Sequence, residues 1–315
     1  MYSPYLLPLP SPDAPPYGPG LAPLRGAAGR LRDALVRRVV TGIFERTALP
    51  GVNARRAHHG LAPLERFGEL LARPPLLLCL TAEGFEYPRG DWPANVRLVG
   101  PVNWSPPLPP TPGRAPFDAL PDPLVLVTCS TERQADGGLI ETALRALPGA
   151  GFSVIATTAA HDPEAFAAPQ RTLVVRYIAH DAVLERAACV VCHGGMGITQ
   201  KALAAGVPVV ASRSDAISSR RHGASKSPAL ACGYLPASSA PSASLMPLTV
   251  RSRDGRALRG VSRAFLAAGG ARAAAEALHA LTDRPDLADY AAAKQRSPAP
   301  ARRRRTRPHT GRSRG

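Results

Sequence analysis

Between residues 124 and 210 the chain alternates short, almost wholly apolar runs with helix-patterned segments, and this alternation restricts the fold more than any other feature. The runs at 124–128, 152–158, 172–178, 189–193 and 207–210 read as strands. The segments at 138–147, 163–168, 181–187 and 197–205 read as helices. A strand apolar at consecutive positions must be covered on both faces, and parallel strands joined through helices meet that demand. The prediction is an α/β domain with a doubly wound parallel sheet. Ligands of such sheets bind beyond the carboxyl ends of the strands, so chemistry is expected in the turns after Thr128, Ile178 and His193.

The preceding hundred residues carry a different pattern. Leu31, Leu35, Val39 and Ile43 recur every fourth residue, with Arg30, Arg37 and Arg38 at other positions. This spacing predicts a helix packed on a core rather than one lying on a membrane. Strand-like runs follow at 76–80 and 96–99. Proline then crowds the stretch from Trp104 to Pro123, which has the composition of a semi-rigid linker. The expected division is an N-terminal domain in 1–103, a linker in 104–122, a second domain in 123–285 and a basic tail in 286–315.

The formal net charge is +16, and its location decides its meaning. Residues 1–210 hold 19 basic and 17 acidic side chains, so the regularly patterned part is close to neutral. The excess lies in 211–263, with 9 basic and 2 acidic residues, and in 294–315, with 9 and 0. Neither segment has the composition of a packed core, and the arginine-rich end reads as a solvated tail rather than a specific nucleic-acid arm. Five cysteines, Cys79, Cys129, Cys189, Cys192 and Cys232, show no disulfide-framework spacing. Cys189 to His193 formally matches a haem-attachment pattern, but its cysteines interrupt an apolar run that reads as a buried strand. No apolar stretch is long enough to span a membrane and no signal peptide is read, so the cytoplasm is the expected location.

The strongest local signal is His193-Gly194-Gly195-Met196-Gly197-Ile198-Thr199-Gln200-Lys201, between a predicted strand and a predicted helix. Its glycines let the backbone approach a ligand, and the first amides and dipole of the helix favour negative charge. His193 can donate a ring N–H to a phosphate oxygen, and Thr199 a hydroxyl. The pattern is not a Walker loop, and it lacks the third glycine of the dinucleotide fingerprint.

At these residues the chain resembles the nucleotide-sugar glycosyltransferases of the two-domain GT-B fold, in particular bacterial UDP-glycosyltransferases acting on small molecules. The resemblance rests first on the run from Cys192 to Val210, CHGGMGITQKALAAGVPVV, which is similar to the family's donor-phosphate motif. It extends to 124–131, to 177–184, and to Phe85-Glu86-Tyr87-Pro88-Arg89 with Val99-Gly100-Pro101. It implies a GT-B fold and an inverting transfer, in which an acceptor hydroxyl attacks the anomeric carbon of a UDP-hexose and UDP leaves. By this resemblance His193, Gly195, Met196, Gly197 and Thr199 hold the pyrophosphate, Ser130 and Thr131 contact the nucleotide from the opposite loop, and Tyr177 and Ile178 border the base. No cofactor or metal is implied; the partners are a UDP-sugar and a small hydroxyl acceptor, with no specific nucleic acid.

Three departures from the family pattern stand out. Ile198 occupies a position where the family has Ser or Thr. The family's general-base histidine has no counterpart, since His58 and His59 follow a helix and read as surface residues, so 1–103 corresponds to a remnant of the acceptor-side domain. In 211–260 the family's Asp-Gln pair for the sugar hydroxyls is missing. The 36 Arg against 3 Lys point to a GC-rich gene. GC-rich codons for residues 211–220, read two nucleotides out of phase, give VPFGRDQFE, which restores that pair. The segment therefore reads as garbled by a frameshift near Val210 that is reversed before Val261. The expected function is a glycosyltransferase by descent whose chain as written does not transfer sugar. A non-catalytic nucleotide-binding remnant and a basic nucleic-acid-binding protein are the alternatives.

Overall fold

The computed structural model describes residues 1–3, 9–17, 19, 21, 23–105, 117–131, 137–211 and 255–282. The predicted tail and most of the predicted garbled segment, 212–254, lie outside these residues, as does Cys232.

The second unit follows the predicted alternation except at 163–168, where the chain makes only a 3-10 turn over Pro163–Ala165. Strands β4 (Leu124–Thr128), β5 (Ser153–Thr157), β6 (Thr172–Val175), β7 (Ala187–Cys192) and β8 (Val209–Ala211) form a parallel sheet in the order β6-β5-β4-β7-β8. Each strand sends alternate side chains to opposite faces. Leu124, Leu126, Ile155, Val190 and Val209 enter one core with residues of α5 (His180–Leu184), α6 (Met196–Ala204) and α7 (Gly255–Ala267). Val125, Val127, Val154, Val191 and Val210 enter another with α4 (Gly137–Ala146). This two-sided coverage is why the strands read as continuous apolar runs. Cys189 and Cys192 sit in opposite cores, and burial pushes the Cys189 thiol up to about 12. They are packing residues.

The first unit contains β1 (Tyr2–Ser3), β2 (Leu77–Cys79) and β3 (Val96–Leu98), also parallel, with α1 (Gly26–Thr47), α2 (Leu49–His58) and α3 (Glu69–Ala72). Leu77 and Cys79 pack with Leu71 and Val96 on one side of β2. Leu76, Leu78 and Val99 on the other side receive Ala273, Ala277 and Leu281 of α8 (Gly270–Thr282). The end of the described chain thus returns to the first unit. The passage is close: a Cβ on Gly100, whose φ is +78°, would lie 2.9 Å from Phe265 O.

Four further expectations need correction. Helix α1 forms, but its stripe does not pack on a core: Leu31, Leu35, Val39 and Ile43 are between 53% and 63% exposed. The large apolar residues that the helix half-buries are Val36, Val40 and Phe44, outside that stripe. The predicted linker is not free throughout, since Phe117 is buried in the second unit's core. Residues 255–263, expected to lack structure, belong to α7 and bury Leu258 and Val261; likewise Ala211 ends β8 in register with Cys192. Strand β6 stops at Val175, so Tyr177 and Ile178 lie beyond it rather than in it.

Candidate functional site

The sheet order creates the site. The chain winds outward from β4 through β5 to β6, then crosses to β7 on the other side of β4. Between β4 and β7 the connections diverge, leaving a crevice at the carboxyl edge. Thr128 and Cys192 are register partners there, so the segments beginning at Cys129 and His193 flank the crevice. Sequence reasoning selected both turns without knowing that their strands are neighbours.

On the β7 side, Gly194 has φ +84° and Gly195 is the N-cap of α6 without a side-chain cap. The first amides of a helix lack internal acceptors, and the N-cap here is a glycine with no side chain to supply one. Gly197 is exposed and a Cβ there would meet nothing within 4 Å, so the surface is open where a ligand would approach. The half-buried His193 ring lies over the turn: a Cβ on Gly195 would stand 2.6 Å from its Nε2. Glycine at 195 leaves room for the Nε2 edge of that ring at the helix start.

Met196 and Ile198 turn their side chains toward the core and offer only backbone to the crevice. The Thr199 hydroxyl is closed off from solvent and has no hydrogen-bond partner among the described residues. On the β4 side Ser130 is buried and Thr131 exposed. Tyr177 is 68% exposed, while Ile178 packs half-buried on the core. His58 and His59 are exposed on the first unit, as expected.

The segment after β6 crosses the carboxyl edge. His180 Nε2 lies 3.2 Å from the Thr157 hydroxyl at the end of β5, which brings this segment over the neighbouring strand. Burial, and then the Lys201 ammonium, push His180 down to about 4, so its imidazole is neutral. Lys201 Nζ is 3.3 Å from Asp181 Oδ1. Burial acts to raise the Asp181 carboxyl, but hydrogen bonding to Ser105 and Lys201 outweighs it and holds the group below its usual range. His180, Asp181, Gln200 and Lys201 were not singled out from the sequence. Gln200 and Lys201 stood in the quoted motif and read only as helix body.

No group of three or more His, Cys, Asp or Glu among the described residues could hold a metal ion. Among them no helix is long and apolar enough to cross a membrane. A separate concavity lies on the first unit beside α1, where Phe44 and Phe67 stack with centroids 5.0 Å apart; none of the residues lining it belongs to the carboxyl edge of the five-stranded sheet.

No protein-family model matches the chain. It is 36% identical over 205 residues to 4'-demethylrebeccamycin synthase of Lentzea aerocolonigenes, which covers 63% of this chain and 48% of that protein. It is 29% identical over 223 residues to UDP-glycosyltransferase 2 of Phaeomoniella chlamydospora, covering 65% and 47%. Among solved structures, the calicheamicin glycosyltransferase CalG4 superposes with a TM-score of 0.58 at 21% identity, covering 75% of this chain and 59% of that one. The chain thus spans about half the length of the curated relatives it matches. Its relatives are glycosyltransferases and its fold is the GT-B arrangement of two α/β units, as the resemblance implied.

Proposed function

We propose that this chain carries the donor-binding unit, with part of the acceptor-side unit, of a glycosyltransferase that moves a hexose from a UDP-sugar to a hydroxyl of a small molecule, with inversion and without a metal, in the cytoplasm. One observation carries this reading: an uncapped helix start, covered by a histidine and opened by Gly197, stands at the crevice between β4 and β7.

The chemistry follows from the geometry. Transfer leaves a pyrophosphate whose charge grows as the glycosidic bond breaks. The amides around Gly197 and the α6 dipole are fixed before reaction and favour that charge, which is the condition for selective stabilisation of the transition state. His193, placed over the same turn, adds one ring N–H donor. Tyr177 presents an exposed ring on which a pyrimidine can stack, and Ser130 and Thr131 line the opposite wall. The resemblance to UDP-glycosyltransferases supports uridine as the base.

Calorimetry with UDP on the full chain tests the reading. UDP is expected to bind, and His193→Ala is expected to weaken it by about 1.5–3 kcal/mol, as for loss of one hydrogen bond to a charged group. Equal affinity in the two proteins would remove His193 from the site. Absence of binding to the unaltered chain would remove the donor reading itself.

A further inference from the structure

The second turn of α6 is fastened to the acceptor-side unit at two points. Gln200, buried, donates from Nε2 to Leu80 O at 2.6 Å, across 120 residues of sequence and just beyond β2. Lys201 donates from Nζ to Trp104 O at 3.2 Å and to Ser105 Oγ at 2.5 Å, where the chain leaves the first unit. Asp181 joins this group through its ion pair with Lys201 and its hydrogen bond with Ser105. Adjacent residues of a helix point about 100° apart, so the two side chains reach different parts of the neighbouring unit and together restrain α6 against both sliding and rotation. Gln200 lies three residues, about 4.5 Å along the axis, beyond Gly197.

These contacts do nothing for α6 as a helix, since all are made to other parts of the chain. Ordering a glutamine and a lysine costs side-chain entropy, and removing the amide from water requires the hydrogen bond it makes. What the contacts fix is the distance between the nucleotide turn and the acceptor-side unit.

We propose that Gln200 and Lys201 are positioning residues that couple nucleotide binding at the start of α6 to the packing of the two units. The proposal rests on the donor reading above. A ligand that draws the amides around Gly197 into place also holds Gln200 on Leu80 and Lys201 on Ser105, and by reciprocity loosening those contacts weakens the ligand.

The test combines UDP calorimetry with hydrogen exchange on the full chain and on Gln200→Ala, Lys201→Met, Lys201→Arg and Ser105→Ala. In the unaltered chain UDP is expected to increase protection of the amides at 81–82 and 104–105, although none of these residues lies in the nucleotide turn. Gln200→Ala and Lys201→Met are expected to abolish that increase and to weaken UDP about fivefold or more, the usual lower bound of coupling between sites. Lys201→Arg, which keeps the charge and the donors, is expected to retain most of both effects. Ser105→Ala changes a half-buried side chain by one hydroxyl and serves where the other variants fold poorly; a partial loss of the UDP-induced protection supports the proposal. Wild-type affinity in all variants, with the protection increase intact, overturns the coupling alone. Failure of the unaltered chain to bind UDP overturns the donor reading and the coupling with it.

Discussion

Strand β7 and helix α1 both carry an apolar pattern, and the two patterns meet opposite fates. Every residue of β7 from Cys189 to Cys192 is buried, alternately against α4 and against the α5–α7 side. Of the large apolar side chains of α1, Val36, Val40 and Phe44 are half-covered while Leu31, Leu35, Val39 and Ile43 face outward. An apolar pattern states which side chains gain from leaving water; it does not state what covers them. In the sheet most of the covering helices are written into the same hundred residues, and α7 completes one face from 255–267. For the outer side of α1, no described part of the chain supplies a cover.

The sharpest break of this comparison is a truncation in the sheet. Leu126→Ala removes a fully buried side chain and is expected to cost about 2–5 kcal/mol in denaturant unfolding. A cost near zero would mean the second unit is not packed as described. Next is the junction between units. Gly100→Ala places a Cβ at φ +78° and 2.9 Å from both Phe265 O and the Ala268 side chain, and is expected to cost about 1–3 kcal/mol from strain and overpacking. Its hydrogen-exchange signature should concentrate in α7 and α8.

Two half-buried titrating groups, one in each unit, sharpen the comparison further. Burial pushes the Glu86 carboxyl up to about 7, against the opposing effects of Thr81 and Arg89, and its Oε1 has no hydrogen-bond partner among the described residues. A raised carboxyl binds its proton more tightly in the folded state, so its contribution is full below about 4.5 and is lost as pH rises through about 7. His180, depressed to about 4, behaves in the opposite sense: its contribution is full above about 6.5 and is lost as pH falls through about 4. The two slopes oppose each other between these limits. Glu86→Gln should leave stability rising with pH in that window, and His180→Asn should leave it falling; urea midpoints across the range check both signs. The smallest effect belongs to the outer side of α1. Leu35→Gln is expected to change stability by no more than about 0.5 kcal/mol, and a larger loss would show that the stripe is covered in solution.

Strand and helix types in 124–210 were legible because strands covered on both faces and amphipathic helices carry different periods. The glycine turn was legible for a local reason as well: backbone freedom and an uncapped helix start are properties of neighbouring residues. Boundaries shifted by one to three residues where the last apolar side chain lay outside the ladder, as with Tyr177 and Ile178 beyond β6. Helix α7 escaped notice because its buried residues, Leu258, Val261 and Phe265, are separated by arginines that dominate the composition.

The sequence by itself determined the parallel second unit, the turn after His193 as its anion-binding candidate, and the order of the motifs that resemble a glycosyltransferase. Tertiary structure alone decided that β4 and β7 lie side by side, that α8 returns to the first unit, and that Gln200 and Lys201 reach Leu80 and Ser105. The reason is range. Periodicity, glycine and helix termini act over a few residues, whereas strand order and contacts across 120 residues depend on which packed arrangement buries the most apolar surface while satisfying every polar group it encloses.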